Sequence, residues 1–423
     1  MELAELRSRR LFAQRLRGAG GAARPGAAGP GATGRRAGKD RPDAADASPA
    51  DLVRDALAVQ SQEYLPAQWG LAQRLPTANR PDRAAVAALI DDGAILRTHV
   101  LRPTWHFVHP ADARWLVGLS AERVHRQNGT MYRRGGIEGP LLATGLDVIA
   151  GEVAGGHRTR VELQTALARA GIDLSGPDLA HLIMYAELER VIISGPSVGA
   201  QRTYAAFDER VPPSRERDRA EALAELAERY LLTRSPASAR DLATWSGFTL
   251  ADARQALADA ADRTGDRITR FGGTDGAAPG SAGSAGSGGS ADELWHDASV
   301  SAAWAARATG AGAPEPADDP SRVDLLQAYD EYVMGYAAPR AFLQPPGAAA
   351  TIFSEFPLHA LMIGGVMCGR WAPTVQGRRA RVRIVPWRRL SRAELRSRDA
   401  AIAEVEAFLG VPVAVEVERV TRV

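Results

Sequence analysis

The sequence has 423 residues, 45% hydrophobic and 24% charged, with a formal net charge of +2, which is ordinary usage for folded protein and room for about three domains of roughly 100–200 residues. No apolar run is long enough to cross a bilayer, the basic N-terminus leads into Gly, Ala and Pro, and Cys368 is the only cysteine. These features argue against a membrane span, a secretory signal, a disulfide framework and a cysteine-based zinc site, and lead us to expect a cytoplasmic protein.

Taken in chain order, residues 1–17 are expected to form a basic N-terminal helix over 2–16. Ten basic residues against one acidic residue, Asp40, lie between Arg7 and Arg41, and arginine suits phosphate because its planar guanidinium donates paired hydrogen bonds. Residues 18–47, rich in Gly, Ala, Pro and Arg, read as a flexible insertion. They hold Lys39, the only lysine, so Schiff-base chemistry has almost no candidate; an arginine does not give up its proton.

A first unit, 48–130, carries helices over 49–59 and 82–91 and strands over 95–101 and 104–108. Between its helices stands Gln60-Ser61-Gln62-Glu63-Tyr64-Leu65-Pro66. Pro66 disfavours helix at Leu65, so the chain is expected to leave the helix here. In an extended stretch residues two apart share a side, which would let both glutamines enter one cleft; a polar helix end is the other reading. A second unit, 131–213, shows helices over 161–170 and 177–188, then strands over 191–194 and 203–207. Leu163, Ala166, Leu167 and Ala170 fall at helical spacing, as do Leu179, Leu182, Ile183 and Ala186. That order is a winged helix. In the third unit, 214–323, Ala243, Gly247, Ala253 and Leu257 fit a helix-turn-helix.

Residues 272–290 are almost entirely Gly, Ser and Ala, a flexible segment whose glycines imitate a dinucleotide fingerprint without the strand and helix that one needs. The last unit, 324–423, alternates apolar and basic residues. Strands are predicted over 361–371 and 379–387, a helix over 391–409 and a last strand over 412–420. Eight arginines and no acidic residue lie from Arg370 to Arg392, among them Trp371 and Trp387. His99, His106 and His109 cluster in sequence with no carboxylate close in their hairpin, so structural or DNA-facing roles fit them better than a metal. Neither metal nor cofactor is expected.

Five stretches resemble the AlkZ/YcaQ-type winged-helix DNA glycosylases: Leu11-Phe12-Ala13-Gln14-Arg15-Leu16; residues 58–69; Arg102-Pro103-Thr104-Trp105-His106-Phe107-Val108; the hairpin from Ser194-Gly195-Pro196 through Thr203-Tyr204-Ala205 to Asp208-Glu209-Arg210-Val211-Pro212; and residues 328–336 (Ala-Tyr-Asp-Glu-Tyr-Val-Met-Gly-Tyr). The resemblance implies a mainly helical α+β fold of three tandem winged-helix motifs and a small C-terminal β-barrel around a channel for double-stranded DNA. It implies removal of alkylated purines, in some members the unhooking of interstrand crosslinks, and a catalytic Gln-x-Gln pair, here Gln60 and Gln62. Expected DNA contacts are Arg10, Arg15, Arg102, His106, Arg202, Arg370, Arg379 and Arg381. The two insertions depart from the pattern, as does the hairpin after Gly195, where Arg202 is the only charged side chain and relatives carry more. A monomeric, monofunctional hydrolase is expected. A non-catalytic winged-helix regulator, reading two half-sites as a dimer, is the main competing class, and a damage binder without turnover the third.

Overall fold

The computed structural model describes residues 1–17, 47–271, 292–308, 319–345 and 359–418. Both segments read as flexible insertions lie outside them, apart from residue 47, and Lys39 lies outside with them. Helix α1 (Leu3–Ala13) opens the chain, and its basic residues turn inward. Arg10, 4% exposed, pairs with Asp241 at 3.1 Å and lies 3.8 Å over the Tyr336 ring. Beyond the helix, Arg15 pairs with Asp55 at 2.7 Å, and Arg17 grips Asp324 through two bonds of 2.9 and 2.7 Å. The expectation that Arg10 and Arg15 face DNA is therefore corrected: each guanidinium has a protein carboxylate where a phosphate was expected.

One order of elements is then laid down three times: helix, short strand, helix, helix, strand, strand. The first set is α2 (Pro49–Ala56), β1 (Ala58–Gln60), α3 (Tyr64–Ala72), α4 (Arg83–Asp91), β2 (Leu96–His99) and β3 (Trp105–Val108). Helix α5 (Pro110–Arg134) leads to the second: α6 (Gly139–Val153), β4 (His157–Thr159), α7 (Arg160–Arg169), α8 (Gly176–Leu188), β5 (Ile192–Ser194) and β6 (Thr203–Ala206). After α9 (Phe207–Arg210) comes the third: α10 (Arg219–Arg234), β7 (Ala237–Ser238), α11 (Ala239–Ser246), α12 (Leu250–Thr264), β8 (Ile268–Arg270) and β9 (Leu294–Asp297). Each trio of strands is antiparallel with its last strand in the middle, in the orders β1-β3-β2, β4-β6-β5 and β7-β9-β8. Helix α13 (Ala298–Ala308) follows.

Local chemistry explains the junctions. Thr159 ends β4 and Ser238 ends β7; each caps the next helix in a capping box, with Glu162 and Asp241 respectively, an arrangement that contributes about 1 kcal/mol. Gly247 stops α11 at φ +75°, where a side chain would be strained. The first set breaks this pattern. Its predicted helix over 49–59 stops at Ala56, because Leu57 takes φ +66° and the chain turns to pair β1 with β3. That backbone costs about 1–2 kcal/mol, which the complete burial of Leu57 offsets. Strand β1 then runs into Ser61-Gln62-Glu63 in place of a capped helix, and Glu63 at the N-cap of α3 makes no capping bond. Leu65 is helical after all: Pro66 lies in the first turn, where a backbone N–H has no helical acceptor to lose.

The C-terminal part contains β10 (Val323–Leu326), α14 (Glu331–Met334), β11 (Ala360–Ile363), β12 (Val366–Gln376), β13 (Arg379–Pro386), α15 (Arg392–Leu409) and β14 (Val413–Val417). The strand predicted over 361–371 is a hairpin, turned by Gly364 and Gly365 at φ +56° and +78°. The five strands form one sheet, β10-β11-β12-β13-β14, whose outer strands do not pair. Among the described residues the expected barrel is thus an open sheet. Its apolar face is closed by a helix instead, as Ile402, Val405 and Phe408 of α15 pack with Leu325, Val382 and Ile384.

Two cores matter for the site. The second set has its own, around Ile149, Leu163, Leu167, Leu182 and Ile183. The first and third sets share theirs with α1 and the C-terminal part, through Leu11, Leu57, Leu96, Tyr230, Trp245 and Tyr332.

Candidate active site

The loop where the first set departs from the other two is fastened residue by residue. Gln60, 2% exposed, donates its backbone N–H to Glu331 Oε1 at 2.9 Å and accepts from Arg102 Nη2 at its side-chain oxygen, also at 2.9 Å. Arginine only donates, so this bond fixes which end of the amide faces Arg102. Glu331 is held in turn by Arg234 at 2.6 Å and the Trp245 indole at 2.9 Å. Burial pushes the Glu331 carboxyl up, but the fully buried Arg234 and the Gln60 N–H more than reverse this and hold it below its ordinary value. The next residue, Ser61, donates to the Trp105 carbonyl at 2.8 Å and accepts from Arg97 Nε and Nη2 at 3.2 and 3.0 Å. Arg97 lies 4.3 Å over Trp105; burial first, and Arg202 second, pull it down to about 10.

Gln62 is exposed, and its side-chain oxygen accepts from the Trp105 N–H at 3.4 Å. Both amides therefore rest against the connection between β2 and β3, Gln60 on Arg102 and Gln62 on the start of β3. One is locked inside and the other faces out.

The other predicted residues divide clearly. His106 is fully buried with Nδ1 2.9 Å from the Thr104 carbonyl, and burial, then Arg102, push its ring down to about 3. It is neutral and out of a phosphate's reach, and Arg102 is half-buried behind Gln60. Arg202 is exposed and lies 4.9 Å over the Tyr64 ring. Arg370 and Arg379 are exposed, as is Arg381, which pairs with Glu416 at 3.0 Å. Of the clustered histidines, His99 bonds Glu187 and His109 caps α5; among the described residues no three metal-ligating side chains converge.

Sequence reasoning gave no role to Glu331, Arg97, Glu63 or His359. Glu63 Oε2 lies 3.0 Å from His359 Nε2, while His359 Nδ1 accepts the Ala328 N–H at 3.1 Å. Glu331 and Glu63 both stood within quoted segments. Their partners lie 271 and 296 residues away, and no local pattern announces such a contact.

The family model of the AlkZ-like DNA glycosylases matches residues 53–410, more than four fifths of the chain. The chain belongs to the AlkZ-like DNA glycosylase family. It is accordingly an enzyme acting on DNA, and the loop just described lies inside the matched region. No curated protein sequence matches it significantly. Among solved structures, the DNA glycosylase AlkZ of Streptomyces sahachiroi superposes with a TM-score of 0.67 at 19% identity, covering 98% of this chain and 99% of that one. This AlkZ-like glycosylase thus shares an α+β fold with that enzyme along nearly its whole length. No helix among its described residues is long and apolar enough to cross a membrane.

Proposed function

We propose that this glycosylase hydrolyses the N-glycosidic bond of N7- or N3-alkylated purines in double-stranded DNA, as a monomer, with Gln60 and Gln62 as its catalytic pair. The three repeated sets act as winged-helix modules that present this loop to the duplex. One observation carries the assignment: the loop is over-fastened around Gln60 yet leaves Gln62 exposed, at the one junction where the repeat gives up its capped helix. Departures from a local rule that the rest of the structure supports are where function concentrates.

The chemistry suits two neutral amides. Breaking the bond passes through an oxocarbenium-like state, and an alkylated purine is already cationic, so it departs neutral without a general acid. What remains is to place a water and aim dipoles at the sugar, which positioned amides can do. Gln62 is the one exposed to meet the sugar and its water; Gln60, polarised by Arg102, sets the loop behind it. Phosphate contacts fall to the exposed Arg202, Arg370, Arg379 and Arg381, and removal of crosslinked purines is a natural extension of the same reaction.

Duplex DNA carrying a single N7-methylguanine tests the proposal. Incubation is expected to leave an abasic site, read as a strand break on heating. Tight binding to one undamaged sequence, above about 10³ over others, with no abasic product would make the protein a regulator instead.

A further inference from the structure

Hydrolysis of a cationic purine nucleoside leaves a proton to be placed. The bond between C1′ and the purine nitrogen breaks, its electron pair goes to the purine, and the base leaves neutral. Water oxygen bonds to C1′ and the new hydroxyl keeps one of its hydrogens, so the other must go to a base. Neither glutamine is basic enough at neutral pH, and the Gln60 oxygen is already occupied by Arg102. We propose that Glu63, held by His359, is the catalytic carboxylate that takes this proton, an inference that rests on the excision of cationic purines proposed above.

The geometry singles out this carboxylate. Glu63 directly follows the exposed Gln62, and its side chain is 38% exposed, open to the solvent that supplies the water. It occupies the N-cap of α3, where a short polar side chain would bond the helix, yet it turns away from the helix to His359. Because the Ala328 N–H points at Nδ1, that nitrogen keeps its lone pair and the ring donates its proton from Nε2 to Glu63 Oε2. Oε1 has no protein partner among the described residues. His359 is itself packed against Trp371, ring centres 5.5 Å apart, so the carboxylate is aimed by a supported neighbour.

The charges around it are few. The bond from His359 holds Glu63 below its ordinary value and burial works against this, with no other charged group among the described residues acting on it; Asp91, Arg202 and Arg97 face the next residue, Tyr64. Glu63 is thus ionised at neutral pH. Such a carboxylate is a weak base, but water adding to an oxocarbenium-like carbon is a strong acid, and the negative charge also favours the cationic sugar.

The test is single-turnover excision of N7-methylguanine by the full chain at pH values from about 3 to 8, alongside DNA affinity and thermal unfolding, for wild type, Glu63→Gln, Glu63→Asp and His359→Gln. Wild type is expected to slow as pH falls through the Glu63 value. Glu63→Gln still accepts the His359 bond but not the proton; it is expected to excise at least about tenfold more slowly at neutral pH, with no acid limb and unchanged affinity. Glu63→Asp keeps a carboxylate and keeps an acid limb. In His359→Gln the limb moves to higher pH, since the bond that lowers the Glu63 value is weakened. A merely structural latch would change melting and leave these limbs where they were. Wild-type rate and an unchanged limb in Glu63→Gln, or no limb in Glu63→Asp, overturns the proposal. Absence of any excision by wild type would instead bring down the reading on which it rests.

Discussion

At the scale of single residues the two glutamines are no longer equivalent. Gln62 makes one long bond and is exposed, so Gln62→Ala is expected to lower single-turnover excision at least about tenfold, about 1.4 kcal/mol, with melting nearly unchanged. Gln60→Ala strips the half-buried Arg102 guanidinium of its hydrogen-bond acceptor among the described residues; it is expected to slow excision and also to cost about 1–3 kcal/mol of stability. Unfolding and kinetics measured on the same preparations separate the two. A Gln62→Ala protein of full activity would remove Gln62 from the reacting atoms. The Gln-x-Gln pair stood out in the sequence through the family resemblance, since its residues alone also read as a polar helix end. The groups that fix it did not: arginines are spread along the whole chain, and nothing in the sequence says that Arg97 serves the Ser61 carbonyl while Arg9 stacks on Trp304.

Among elements, α1 carries the clearest lesson about charge. Its basic composition was legible, but composition does not say which way a guanidinium points, and Arg10 and Arg17 meet carboxylates that appear only after residue 240. Arg10→Ala is expected to cost about 3–5 kcal/mol, because Asp241 stays buried without its cation. DNA affinity and its salt dependence should not move; a fall in the salt slope of about 0.9 would restore the phosphate role. The helices and hairpins of the second set were legible from apolar spacing. The three-residue β1 was not, since its partner β3 is far along the chain, and neither was the crossing of α15 that replaces a barrel. That helix also makes a pH prediction. The Arg388 side chain, then the Ser391 cap, holds Glu394 down to about 2 against an ordinary 4.5, although burial opposes them. A depressed folded-state value stabilises the protein above the ordinary pKa and is lost as pH falls through the folded one. Melting temperature should therefore drop less steeply between these two values in Glu394→Gln than in wild type.

At the scale of the whole molecule, the division of cores sets what moves alone. The second set is packed around its own interior, whereas the first and third share one with α1 and the C-terminal part. Native-state hydrogen exchange is expected to show Leu163, Leu182 and Ile183 opening together, at a lower free energy than Tyr230 and Trp245; a single common opening energy would count against this division. Binding to DNA should be electrostatic in character. Arg202→Ala and Arg379→Ala are each expected to lower the slope of log affinity against log salt by about 0.9 and to weaken all duplexes alike, measured on unrelated sequences at several ionic strengths.

The inward-facing start of the chain also sets a timetable for its manufacture. The carboxylate that Arg17 grips lies 307 residues downstream, which at about 5–20 residues per second is roughly 15–60 s of ribosome time. Leu11 and Phe12, nearly inaccessible in the finished protein, wait that long for full cover, a standing invitation to a chaperone. Glu331, which anchors the Gln60 backbone, emerges still later than Asp324. A half-made chain therefore lacks the groups that set its glutamines, and the loop that carries them reaches its final arrangement only after Glu331 has been made.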